Sequence, residues 1–146
     1  MNGEPSIPNR VYPAMSHPTA DPAAFVVAAR FAGFDAPDPE KARVLEIGCA
    51  TGHHLLPLAM HWPEAEFTGI DVNPNAIQCA RDLVDEAGLT GRVDFHAYAL
   101  GDFKADGKTW DIVIAHGFFS WVPDEVKRDL LAFCARHLTP NGLAVV

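Results

Sequence analysis

Residues 44–52 read Val-Leu-Glu-Ile-Gly-Cys-Ala-Thr-Gly, and a second apolar run, Glu66 to Asp71, follows after one helix-length stretch. An apolar run that meets glycine and small residues describes a buried strand breaking into a tight turn. Strand, turn, helix and second strand confine the chain to an α/β architecture with parallel strands joined by crossovers. A turn of this kind lets a ligand approach backbone N–H groups closely at a helix N-terminus. The carboxylate of Asp71, at the end of the second run, is placed to hydrogen-bond a ribose.

The rest of the chain continues the alternation. Pro5, Pro8, Pro13, Pro18 and Pro22 punctuate its start, so residues 1–20 are expected as an extended arm before a core at 21–146. Asp21-Pro22 suits an N-cap and first helical position, with Phe25, Val26, Ala29 and Phe31 inward and Gly33 ending the helix. Val44 to Ile47 is apolar apart from Glu46, as a central strand buried on both faces should be. The next helix starts near Gly52, and Pro57 fits only within its first turn. Asn73-Pro74 opens a helix running through Ala87, with Ile77, Ala80, Leu83, Val84 and Ala87 inward and Gly88 stopping it. Val93 to Tyr98 and Asp111 to Ala115 read as the third and fourth strands. Asp124 to Leu138 repeats Val126, Leu130, Leu131, Phe133, Cys134 and Leu138 at helical spacing. Pro140-Asn141-Gly142 then turns into a fifth strand from Leu143. The order predicts a doubly wound parallel sheet. Because the chain stops within the fifth strand, the sheet is expected to be incomplete at its C-terminal strands, with self-association through the exposed edge.

Composition sets outer bounds. With 146 residues, 49% hydrophobic and 21% charged, the chain is sized and composed for one packed domain. A net charge of −8 argues against a nucleic-acid partner held by bulk electrostatics. Cys49, Cys79 and Cys134 are odd in number and widely spaced, which suits a reducing cytoplasm better than a disulfide framework. No signal-peptide pattern or membrane-length apolar run is present. Seven histidines show no metal-ligand spacing, and no metal is expected.

The turn discriminates between cofactors. A nicotinamide dinucleotide needs Gly-x-Gly-x-x-Gly after the first strand. Gly48 supplies the first glycine, but Ala50 and His53 hold the other two places. Glu46 beside the turn would repel a diphosphate and suits a cationic ligand.

The arrangement Glu46-x-Gly48-x-Ala50-x-Gly52, with Asp71 downstream, resembles the cofactor motif of class I S-adenosylmethionine-dependent methyltransferases. Asn73-Pro74 resembles their second motif region, Trp110 to Gly117 their fourth strand, and Leu138 to Leu143 the turn before their fifth, with Asn141 where glycine is commoner. Tyr12-Pro13, Ser16-His17-Pro18, Gly48-Cys49-Ala50 and Ala115 to Pro123 are similar to one bacterial branch. In that branch a methyltransferase core precedes a regulatory domain, and some members methylate protein lysines. This sequence departs from the branch at His53 and His54, where Gly and Asn are expected, and holds no counterpart of the regulatory domain.

The resemblance implies a Rossmann-like fold and S-adenosyl-L-methionine as cofactor. It implies that Glu46 orients the turn and holds the methionine portion, with Gly48, Cys49, Ala50 and Gly52 forming the turn itself. Asp71, with Val72, falls at the ribose, and either Ala99 or Asp102 at the adenine. His116, ending the fourth strand, would contact the cofactor through its backbone or take a proton from an amine. Each has a plainer alternative: a solvated acid at Asp71, a structural cap at Glu46, a hydrogen-bonded strand-end residue at His116. Cys49 reads as a packing residue rather than a nucleophile. Phe118, Phe119 and Trp121 either line a channel or pack the loop on the next helix. The implied chemistry is attack on a sulfonium methyl by a protein or small-molecule acceptor, which forces no particular catalytic residue. The alternative is a non-catalytic cofactor-binding fragment or pseudo-enzyme.

Overall fold

The computed structural model describes residues 18–146, so most of the arm expected over 1–20 lies outside the described residues, with the Tyr12-Pro13 and Ser16-His17 motifs. Pro18–Ala20, within the expected arm, forms a 3-10 turn rather than extended chain. Five strands follow: β1 (Arg43–Ile47), β2 (Glu66–Asp71), β3 (Val93–Ala97), β4 (Trp110–Ile114) and β5 (Leu138–Val145). They lie in the order β3-β2-β1-β4-β5, each neighbouring pair parallel. Four α-helices connect or flank them: α1 (Pro22–Phe31), α2 (Leu55–His61), α3 (Pro74–Glu86) and α4 (Asp124–His137). This is the doubly wound sheet the sequence predicts.

Alternation along the strands makes two cores. Val44, Ile112 and Ile114 pack with Leu55, Ile77 and Ala80, beneath α2 and α3. Leu45, Ile47 and Val113 pack on the opposite face with Leu130 and Phe133 of α4. Each such buried side chain contributes about 1.5–3 kcal/mol relative to exposure. Helix ends follow local signals. Asp21 accepts the Ala23 N–H at 2.9 Å with Pro22 in the first turn of α1, and Asn73 accepts the N–H groups of Asn75 and Ala76 at the start of α3. Pro57 is the third residue of α2, within its first turn as expected.

Four sequence expectations are corrected. In α3, Ala87 is exposed rather than inward, because the helix ends at Glu86 and Ala87 is its C-cap. In α1, Val26 is buried, but Phe25 is 38% and Phe31 89% exposed. Among the described residues this helix packs chiefly on β5 and the Pro39–Lys41 turn, so a narrow stripe covers the contact. In α4, Leu131 is 55% exposed, since it sits about 100° round the helix from the buried Leu130, with Phe133 and Cys134 completing the stripe. In β5, pairing begins at Leu138, earlier than expected. Trp110 pairs with Leu138 and Ile112 with Leu143, so Thr139 to Gly142 bulge outward before regular pairing resumes at Leu143. The Thr139 hydroxyl donates to Asp111 at 3.1 Å and fastens that bulge to β4.

Candidate functional site

Strand order reverses between β1 and β4, and ligands in open α/β sheets bind beyond the strand carboxyl ends at such a point. A cavity of about 770 Å³ opens there. One wall is the turn after β1 together with the end of β2. The other is made by the residues after β3 and the loop from β4 into α4.

The turn is held by its neighbour strand. The N–H groups of Gly48 and Cys49 both donate to the Ile70 carbonyl, at 2.8 and 3.1 Å. Gly48, Ala50 and Gly52 take φ values of +79°, +48° and +75°. Glycine adopts this left-handed region at no steric cost, whereas alanine does not. Ala50 is held in place because its N–H donates to Asp71 Oδ2 at 2.9 Å. Asp71 Oδ1 accepts the Asn73 N–H, also at 2.9 Å, so one carboxylate braces both the turn and the entry to α3. A carboxylate offers about four acceptor sites, so capacity for two further donors remains. Glycine at 48 and 52 also has a packing reason. A Cβ at Gly48 would stand 2.8 Å from Phe118 Cδ2, and one at Gly52 2.5 Å from Phe95 Cζ.

Glu46 shares a strand face with Val44, the face covered by α2. It is 5% exposed, and His54 beside it 4%. His54 Nδ1 lies 2.9 Å from Glu46 Oε1, and since a carboxylate only accepts, the ring nitrogen donates. Glu46 Oε2 is buried with no hydrogen-bond partner among the described residues. Such an oxygen is costly to leave unpaired, and an ammonium donor is the group that offsets most of that cost. The histidine partner was missed from sequence. The available signal was a lone acid inside an apolar strand, which demands a polar neighbour from the helix packed on the same face.

The Thr51 hydroxyl and His53 Nδ1 pair at 2.8 Å. Burial pushes the Cys49 thiol well above its ordinary range, with the charges of Glu46 and Asp71 adding to the shift. A thiol in that state is a packing group and not a nucleophile.

Of the residues singled out from sequence, Glu46, Gly48, Cys49, Ala50, Asp71, Val72, Ala99 and His116 line the cavity together. Gly52 is buried beneath the turn, outside that lining. Asp102 is exposed and also outside it, its N–H turned back onto the Ala99 carbonyl at 3.0 Å. Between the two adenine alternatives, Ala99 is the one on the wall. Phe118 and Trp121 face the cavity, whereas Phe119 packs on the α4-side core with the Lys127 ammonium 5.5 Å from its ring centre. Tyr98 and Leu100, after β3, and Val126 and Asp129, on α4, also border the cavity and were not singled out as site residues. Their approach to it depends on how α4 and the segment after β3 pack over the sheet, which no local pattern encodes. Among the described residues no cluster of His, Cys, Asp and Glu could hold a metal ion.

The methyltransferase-domain family matches residues 44–142, and the chain belongs to it, with the fold of the class I S-adenosylmethionine-dependent enzymes. PKMT2 of Rickettsia typhi, in complex with AdoHcy, is similar with a TM-score of 0.85 and 28% identity, over 92% of this chain and 26% of that one. Uncharacterized protein RP789 of Rickettsia prowazekii is 36% identical over 114 residues, 78% of this chain and 20% of that protein. Trans-aconitate 2-methyltransferase of Streptomyces avermitilis is 29% identical over 109 residues, 70% of this chain and 37% of that protein. The chain thus spans about a fifth of RP789 and about a quarter of PKMT2. The site fits the family's cofactor on its own geometry. The buried, unpartnered Glu46 oxygen suits an ammonium, and Asp71 retains acceptor capacity for ribose hydroxyls. Among the described residues, no helix is long and apolar enough to cross a membrane.

Proposed function

We propose that the cavity binds S-adenosylmethionine and that the protein methylates an amine of a protein lysine. The observation that carries this reading is the β1 turn braced on Asp71, with Glu46 Oε2 unpartnered behind it. In this reading Glu46 takes the ammonium, Asp71 and Val72 meet the ribose, and Ala99 flanks the adenine, with Gly48, Cys49 and Ala50 forming the wall between them. When bound, the cofactor supplies a methyl group already activated by a neighbouring sulfonium charge. The chain's part is to orient and desolvate, and orientation alone takes about 7–11 kcal/mol off such barriers. His116, two residues beyond β4 on the wall, is positioned to take the proton of the acceptor amine. Trp121, 58% exposed, Tyr98, 48% exposed, and Asp129 border the cavity, and aromatic faces with a carboxylate suit a cationic side chain. Likeness to PKMT2 and to the lysine-methylating branch supports the same acceptor.

Tritiated methyl transfer from S-adenosylmethionine to a lysine-bearing protein and to trans-aconitate tests the reading. Base-stable label on the protein is expected. Base-labile label on trans-aconitate would replace lysine by a small carboxylate, and cofactor binding without transfer would identify a non-catalytic binding unit. The unpaired thiols of Cys49, Cys79 and Cys134 support a cytoplasmic setting. The β5 edge of the described sheet supports self-association, which light scattering reads directly.

A further inference from the structure

We propose that His54 is the positioning residue for Glu46. By donating from Nδ1 to Oε1 it fixes the carboxylate rotamer and leaves Oε2 as the acceptor for the cofactor's ammonium. The inference rests on the cofactor reading above and adds a second residue to it. Both side chains are almost wholly buried and both line the cavity. The 2.9 Å contact occupies one carboxylate oxygen, while the other has no partner among the described residues. A glutamate on an unbraced strand face could rotate both oxygens toward any available donor. With Oε1 tied to the first residue ahead of α2, rotation would break a charge-assisted hydrogen bond inside a low-dielectric site. The carboxylate is therefore preorganised before a ligand arrives, which reduces the ordering cost of binding. His54 touches neither the methyl group nor the acceptor in this account. Its contribution is felt only by ligands that carry the ammonium.

The test compares two probes on the 146-residue chain: S-adenosylhomocysteine, which carries the ammonium, and 5′-methylthioadenosine, which lacks it. His54→Leu is expected to weaken S-adenosylhomocysteine by about tenfold or more, with 5′-methylthioadenosine held within about twofold. His54→Asn, whose amide places a donor near the Nδ1 position, is expected to recover most of the loss. If His54→Leu does not fold, His54→Gln reads the same ratio, with a partial loss confined to S-adenosylhomocysteine. Equal loss for both probes would show a merely structural histidine and overturn the proposal, as would unchanged S-adenosylhomocysteine affinity. Failure of the unsubstituted chain to bind S-adenosylhomocysteine would overturn the cofactor reading itself, a result distinct from either.

Discussion

On one side of the cavity, Glu46, Ala50 and Asp71 are each tied by a hydrogen bond of 2.9 Å to another residue of the same wall or its supporting helix. On the other, Tyr98 and Trp121 are about half exposed, and His116 stands in a loop between β4 and α4. The first wall couples the buried Glu46 and the half-buried Asp71 to fixed donors, so its geometry follows from strand alternation and a few hydrogen bonds. The second consists of side chains on solvent-facing loops, where many arrangements cost nearly the same. In the proposed reading the first wall holds most of the cofactor and the second, apart from Ala99, faces the acceptor.

Removing the brace should break the first wall most severely. Asp71→Ala strips the acceptor from the Ala50 and Asn73 N–H groups and, in the proposed reading, from the ribose. We expect S-adenosylhomocysteine affinity to fall by about 2–3 kcal/mol and folding stability by about 1–3 kcal/mol. Calorimetric titration and urea unfolding separate the two, and a loss of affinity without loss of stability would remove the bracing role.

The two walls meet at Gly48 and Phe118. Gly48→Ala should destabilise the fold by about 1–3 kcal/mol, through the left-handed backbone and the 2.8 Å approach to Phe118. Adding Phe118→Ala should relieve the steric part while the backbone strain persists. A double variant no less stable than Phe118→Ala alone would show that conformation at 48 does not matter.

Thiol chemistry probes the dryness of the first wall. The buried Cys49 has its pKa raised above the ordinary 9.0 by burial, so its protonated form is favoured in the folded state. That contribution to stability is complete below pH 9 and is lost as the pH rises through the folded-state value. Iodoacetamide at pH near 8 should label the exposed Cys79 while leaving Cys49 protected, and stability should decline once the pH passes 9. Rapid labelling of Cys49 in the folded chain would contradict a dry, closed turn.

The smallest effect is expected at Ala50. Ala50→Gly removes the penalty of φ +48° and should raise stability by less than about 1 kcal/mol, since glycine's extra unfolded-state freedom offsets part of the gain. A destabilised variant, by thermal unfolding, would mean that the alanine methyl packs against something the strain argument ignores.

What was legible in the sequence divides along the same line. The sheet, the caps at Asp21 and Asn73, and the clustering of Glu46, the turn and Asp71 all followed from local pattern, because strand alternation and capping chemistry act within a few residues. The outward-facing Phe25, Phe31 and Leu131 did not, since which apolar residues are covered depends on the size of the neighbouring surface. The bulge at Thr139 to Gly142 was hidden because its register is set by Trp110, a residue far away in sequence. His54 was visible only as a departure from the family pattern. Its role required knowing that α2 returns over the Glu46 face.

In the proposed reading, the turn braced on Asp71 takes an S-adenosyl cofactor and not a dinucleotide. Isothermal titration of the chain with S-adenosylhomocysteine and with NAD, under one set of conditions, separates the two. Saturable one-to-one binding of S-adenosylhomocysteine is expected, with NAD at least about a hundredfold weaker, a gap of about 2.7 kcal/mol. Equal or tighter binding of NAD, or no binding of S-adenosylhomocysteine by the folded chain, would contradict it.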